Sequence, residues 1–184
     1  WRRAAASFNN HVGVPVTLAR LPRDATYAVY EIGMNHANEI APLVRMVRPR
    51  VAVVTTVSHA HSGNFADGIE GVARAKSEIF AAGGEVAVVN RDIPHHDMLA
   101  AEARRRGFPS TIGFGEHAAA EFRLVATRPD RGGIAVDADI AGRRLSYLVG
   151  APGRHWAMNS LAVLAAARAL GADLEQAAAA LATV

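Results

Sequence analysis

Short β-branched runs, each followed by a segment of helical period, constrain this chain more than any other feature. Residues 51–55 (VAVVT) and 85–89 (EVAVV) read as buried strands, too short for helices. Residues 27–33 (YAVYEIG) read as a further strand, with Glu31 near its C-terminal end. Asn38 and Glu39 look like a helix start, Pro42 falls within what a first turn tolerates, and Pro49 stops that helix. A polar loop covers Thr56 to Gly68. Residues 69–81 then read as an amphipathic helix, because Ile69, Val72, Ala73, Lys76, Ile79 and Phe80 recur at helical spacing. Pro94 to Arg106 is a helix and Ser110 to Phe114 a strand. Strand alternating with helix predicts an α/β fold: a mostly parallel sheet with right-handed crossovers, flanked by helices.

From residue 121 to 149 the pattern changes. Three alternating segments, near 121–127, 134–140 and 144–149, are separated by Arg131-Gly132-Gly133 and Gly142. They read as a small antiparallel β-meander. After Pro152-Gly153, two Ala-rich helices are predicted near 155–170 and 173–182, broken at Gly171.

Composition narrows the function classes. The 184 residues suffice for one domain with a sizeable core. The absence of cysteine removes disulfides, zinc ribbons and thiol chemistry, and fits a cytoplasmic protein. No apolar run approaches the ~18 residues of a membrane span, and Trp1-Arg2-Arg3 does not open a signal peptide. The net charge is +3, but the arginines are scattered and not interleaved with aromatics, so no nucleic-acid partner is expected. A mildly basic domain suits an anionic small ligand such as a nucleotide.

Lys76 is the sole lysine among the chain's 20 Lys and Arg residues. Lysine, unlike arginine, has a neutral form that is nucleophilic, and its pKa follows its surroundings. A neutral amine can take up carbon dioxide and become a carbamate, an anion with two oxygens. Lys76 falls on or beside the apolar stripe of its helix, an unusual place for a surface lysine. Glu31 lies at one predicted strand end, His59 and His61 lie just beyond the next, and Lys76 follows on the adjoining helix. One carboxylate, one imidazole and one carbamate can converge on a divalent cation. The oxygens suit Mg²⁺ or Mn²⁺, and the imidazole leans slightly toward Mn²⁺.

Five segments, in order, resemble the central ATP-binding domain of the Mur ligases. They are residues 9–18 (NNHVGVPVTL), 31–36 (EIGMNH), 55–61 (TTVSHAH, followed by Phe65), 71–80 (GVARAKSEIF) and 152–161 (PGRHWAMNSL). Ala60 stands where acid-adding members usually carry Asp before the metal histidine, which favours the D-alanyl-D-alanine-adding branch. Thr56 and Trp156 depart from an Asn common at each position. At Trp156 that Asn commonly contacts adenine.

The resemblance implies an ATP-dependent acid–amino-acid ligase of peptidoglycan precursor synthesis. Its substrates would be a UDP-muramyl-tripeptide and D-Ala-D-Ala, joined through an acyl phosphate. It implies that Glu31 and His61 hold Mg²⁺, with the carbamate of Lys76 orienting the ion through water. Asn10 would sit near the phosphates, and His155 and Asn159 would line the nucleotide site. Asn90 and Asp92 would either approach the adenosine or form a turn and cap before Pro94. The chain contains no G-x-x-x-x-G-K-[ST] motif. The resemblance therefore places a P-loop and a UDP-binding domain upstream and a further domain downstream. It makes residues 1–184 a single central-domain fragment, inactive alone and monomeric when full length. A polyglutamate, cyanophycin or folyl-polyglutamate ligase, or a non-catalytic metal- or nucleotide-binding module, is the alternative.

Overall fold

A computed structural model describes residues 9–184. Trp1-Arg2-Arg3 lies outside the described residues. The chain forms two compact units, Trp1–Pro49 with Val57–Gly83, and Arg50–Thr56 with Gly84–Val184.

The second unit holds the sheet. Strands β1 (Val51–Val54), β2 (Val86–Asn90) and β3 (Ser110–Gly115) pair in parallel. The meander is also present, as β4 (Phe122–Asp130), β5 (Gly133–Ile140) and β6 (Arg143–Val149), paired antiparallel. It is not a separate layer. β4 pairs in parallel with the end of β3, Phe114 opposite Phe122, so all six strands form one sheet in the order β1 to β6. The β3–β4 connection brings Phe114 and Phe122 together, and both are buried.

Helix α5 (Arg154–Ala169) packs against every strand. Its Ala157, Ala162 and Ala165 are buried and let the backbone come close, while Leu161 and Leu164 are fully buried in one cluster with Val88, Ile112, Phe122 and Val136. Fully burying a leucine side chain is worth about 1.5–3 kcal/mol. Gly171, at φ 81°, ends this helical stretch, and α6 (Leu174–Ala180) starts with Asp173 accepting from the Gln176 N–H at 2.8 Å. Helix α4 (His96–Arg105) packs on β2 and β3.

The first unit is helical, with α1 (Gly13–Ala19), α2 (Ile40–Val47) and α3 (Ile69–Ser77). Ile40, Leu43 and Val44 put one face of α2 inside. α3 tightens into a 3₁₀ turn over Glu78–Phe80 that buries Phe80 completely. The expected helix over 69–81 is therefore present, with its last turn of tighter pitch. Residues 27–33 do not form the expected strand. They have no ladder partner among the described residues, and Tyr27 and Val29 are 55% and 84% exposed. Apolar alternation makes a strand only where a neighbouring backbone completes its hydrogen bonds.

The open N-terminus of α2 is closed by an acid from elsewhere in the sequence. The Glu78 carboxylate accepts from the N–H groups of Asn38 (2.6 Å), Ile40 (3.1 Å) and Ala41 (3.0 Å). An anion there also meets the positive end of the helix dipole. Glu78→Ala should lower the unfolding free energy by about 1–3 kcal/mol, read as a fall in the urea midpoint at unchanged slope. An unchanged midpoint would refute the cap.

In the second unit, the hydroxyl of Tyr147 lies 2.7 Å from Ser160 Oγ, and Ser160 donates to the Ala157 carbonyl. Tyr147 is therefore the donor. Burial pushes its phenol up to about 12. A raised phenol pKa contributes stability that is present below the ordinary tyrosine value near 10 and is lost as pH rises through about 12. Tyr147→Phe should cost about 1 kcal/mol at neutral pH and flatten that alkaline limb in a pH series of thermal melts.

Candidate active site

Lys76 sits on α3 with its side chain half-buried. Burial lowers its amine pKa, and the negative charge of Glu31 pulls it partly back up. Glu31 and Lys76 thus lie within electrostatic reach of each other. Helical geometry explains the burial. Val72 and Ala73 on the same helix are fully buried, and Lys76 stands one turn on from them.

Glu31 stands on a segment without regular secondary structure, not at the end of a paired strand. Asn9 fixes it there: its side-chain amide donates to Glu31 Oε1 at 2.8 Å, and its carbonyl accepts from the Gly33 N–H at 2.8 Å. This positioning role for Asn9 was not legible in the sequence, where the residue appears only as part of a longer motif. Asn10 holds the entry to α1, its side-chain oxygen accepting from Val12 N (3.1 Å) and Gly13 N (2.9 Å).

His61 is exposed and has a left-handed backbone, φ 66°, at the head of the 3₁₀ turn Ser62–Asn64. The turn is held by Ser62 N donating to the His59 carbonyl and by Asn64 Nδ2 donating to the Asn35 carbonyl. A left-handed histidine is uncommon and re-aims its side chain relative to an ordinary loop residue. Among the described residues, the His61 ring makes no hydrogen bond or ion pair, and no three His, Asp or Glu side chains gather as a metal cluster. Of the three predicted metal-site residues, electrostatic coupling links Lys76 with Glu31, and the His61 ring bonds to neither.

A shallow cavity of about 350 Å³ opens on another face of α3, lined among others by Asn38, Phe65, Asp67, Arg74 and Glu78. Helical spacing puts Lys76 about 150° round the axis from this lining. The cavity does not belong to the lysine site.

In the second unit, a chain of polar contacts ties together the carboxyl ends of three strands. Asn90 is buried; its amide donates to the Thr55 carbonyl at 2.9 Å, and its oxygen accepts from Asp92 N at 2.8 Å. Asp92 accepts in turn from the N–H groups of Glu116 and His117 at 2.8–2.9 Å. Gly115 permits this approach, since its φ is 146° and a Cβ there would lie 2.5 Å from Asp92 Oδ1. Glu116 pairs with Arg154 on the first turn of α5. Asn90 and Asp92 thus work on the loop backbone: Asn90 makes the turn that its sequence context allows, but neither caps α4, which starts at His96 with no side-chain cap. His155 and Asn159 are exposed on the first turns of α5. Arg154 and Glu116 were not singled out by sequence reasoning, because an ion pair between a loop and a helix far along the chain has no local signal. Carboxyl ends of parallel strands are where open sheets bind ligands.

No helix among the described residues is long and apolar enough to cross a membrane. Residues 3–167 match the Mur ligase middle domain family. The UDP-N-acetylmuramoyl-tripeptide–D-alanyl-D-alanine ligase of Escherichia coli (strain K12) is 34% identical, over 93% of this chain and 38% of its own length. That of Rickettsia prowazekii (strain Madrid E) is 28% identical over 92% and 38%. A crystal structure of MurF from Acinetobacter baumannii superposes with a TM-score of 0.88 at 28% identity, covering 98% of this chain and 39% of that one. The chain thus spans under two-fifths of the length of these relatives. With a match along nearly its whole length and the same arrangement of strands and helices in a solved relative, this chain belongs to the Mur ligase middle domain family.

Proposed function

We propose that the chain is the central part of an ATP-dependent ligase that adds D-alanyl-D-alanine to UDP-N-acetylmuramoyl-tripeptide. The names of the relatives point to that reaction. The observation that carries it is the setting of Lys76: the chain's one lysine, half-buried, with a lowered amine pKa and within electrostatic reach of Glu31. A structural lysine would extend its charge into water. A lysine that must react with carbon dioxide needs its neutral form, and burial supplies it.

In this reading the terminal carboxylate of the tripeptide attacks the γ-phosphorus of ATP, and ADP leaves. The amine of D-Ala-D-Ala then attacks the acyl phosphate, phosphate leaves, and an amide forms. The obstacle is bringing a carboxylate to a polyanion. Glu31, His61 and carbamylated Lys76 are the residues that would hold Mg²⁺, which supplies charge neutralisation when bound. Mn²⁺ fits the same donors. Asn9 keeps Glu31 in place, and Asn10 shapes the loop offered to the phosphates. His155 and Asn159 are the side chains that this reading assigns to the nucleoside, and Asn90 and Asp92 hold the loop backbone after their strand. The full-length protein works as a monomer in the cytoplasm.

Two measurements test the reading. In ¹³C-bicarbonate, a carbamate carbon resonance should grow as pH rises through the lowered amine pKa, and Lys76→Arg should lack it. A titration identical in the variant would refute carbamylation at this site. In the protein that carries this chain, Lys76→Arg, Glu31→Gln and His61→Ala should each reduce kcat by roughly 10²-fold or more, with smaller effects on KM. Full turnover by any of them would remove that residue from the site.

A further inference from the structure

β6 is the last strand of the sheet, and among the described residues it pairs only with β5. Its other edge therefore presents a row of backbone N–H and C=O groups, which proteins usually guard with charges, proline or a bulge. Leu145 to Val149 (LSYLV) has none of these: its ladder with β5 is continuous, and the charged residues of the strand, Arg143 and Arg144, stand at its start. The far end is closed, because the Gly150 N–H donates to the Leu181 carbonyl at 2.9 Å.

A groove of about 470 Å³ lies beside the open stretch, between β6 and α6. Its strand wall includes Leu145 and Tyr147, and its helix wall is made of small side chains, Ala178 and Ala179, with Ala182 just beyond. Strand alternation puts Leu145 and Tyr147 on one face of the sheet and Ser146, which donates to Asp137 at 2.7 Å, on the other. Small residues on the helix leave room for side chains that arrive along the edge. The rim is charged. Arg143 pairs with Glu175. Among the described residues, Arg144 makes no ion pair or side-chain hydrogen bond. Its charge reaches Asp137, which Arg128 and Ser146 already hold.

We propose that the β6 edge and α6 form a docking groove for an extended peptide of another protein, added antiparallel to β6, with apolar side chains at alternate positions and a carboxylate toward its C-terminal end beside Arg144. Main-chain hydrogen bonds along a free edge give affinity, and pockets for alternate side chains give specificity. Antiparallel addition continues the pattern of the meander and is slightly stronger per residue than parallel pairing. It sets the C-terminal half of the peptide opposite Arg144, at the start of β6. A second copy of β6 (RRLSYLV) has no acid to answer that charge, so a peptide of other sequence is the better complement. The groove uses none of the residues given to the ligase reaction.

The test is fluorescence anisotropy on the protein that carries this chain, with a labelled peptide TVSVTVE, a form ending in lysine, and a form with proline at the central valine. The glutamate peptide should bind and slow hydrogen exchange at the amides of residues 144–148. The lysine and proline forms should each bind roughly tenfold more weakly. Ala179 is exposed on α6. Ala179→Trp should fill the groove and weaken the glutamate peptide roughly tenfold or more, at an unchanged thermal midpoint. Arg144→Glu should reverse the preference between the glutamate and lysine peptides. No binding of the glutamate peptide at about 1 mM would overturn the proposal. So would equal affinity for the proline form, or undiminished affinity in Ala179→Trp. Protection of residues 144–148 that grows with protein concentration alone would give the edge to a second copy and overturn it too.

Discussion

The burial of α5 against six strands is the interaction on which the second unit depends. Its small residues bring the helix close, and Leu161 and Leu164 join the buried cluster that the strands supply. A helix seated so closely cannot rotate without exposing those leucines. Its outer face is fixed as a result, and Trp156 and Asn159 are presented at a constant angle. The carboxyl ends of β1, β2 and β3 are fixed by the same sheet and stitched by Asn90 and Asp92. Hydrophobic packing thus supplies the rigidity, and a few polar side chains convert it into loop geometry.

The first unit solves a different problem with less apolar material. Its candidate site residues stand on a loop, an irregular segment and one helix. Glu78 closes the N-terminus of α2 from the turn that continues α3, the helix that carries Lys76. The position of the lysine is therefore linked to the start of α2, and through it to the Met34–Glu39 loop. There the Glu39 carboxylate accepts from Asn35 N (2.7 Å) and His36 N (3.2 Å). Those backbone bonds hold the Glu39 carboxyl below the usual range. Acidic side chains here serve as substitutes for backbone acceptors.

Much of this architecture was legible in the sequence. β2, β3 and all three meander strands were readable because alternation and turn residues are local signals. So were α2 to α6, from apolar spacing and from Pro and Gly at their ends. The run 27–33 misled, because a strand needs a partner and the sequence of one segment cannot show whether it has one. The single sheet was also hidden, since the β3–β4 pairing covers only two residue pairs. Lys76 and Glu31 stood out by residue type and order. Asn9, Glu78, Arg154 and Glu116 did not, because each acts on a partner far away in sequence and belongs to a residue type common on any surface.

A chain with nineteen arginines and one lysine has an uncommon chemical consequence. Amine-directed reagents, whether cross-linkers, acylating probes or isotopic methyl donors, find one side-chain target in these 184 residues. That target is half-buried on α3, and its lowered pKa leaves it more nucleophilic at neutral pH than an ordinary lysine. The residue can therefore carry a reporter without mutation, and guanidinium groups elsewhere stay silent. The same restriction of the basic residues to arginine that keeps the surface charged at every physiological pH leaves one side-chain amine for a reagent to find.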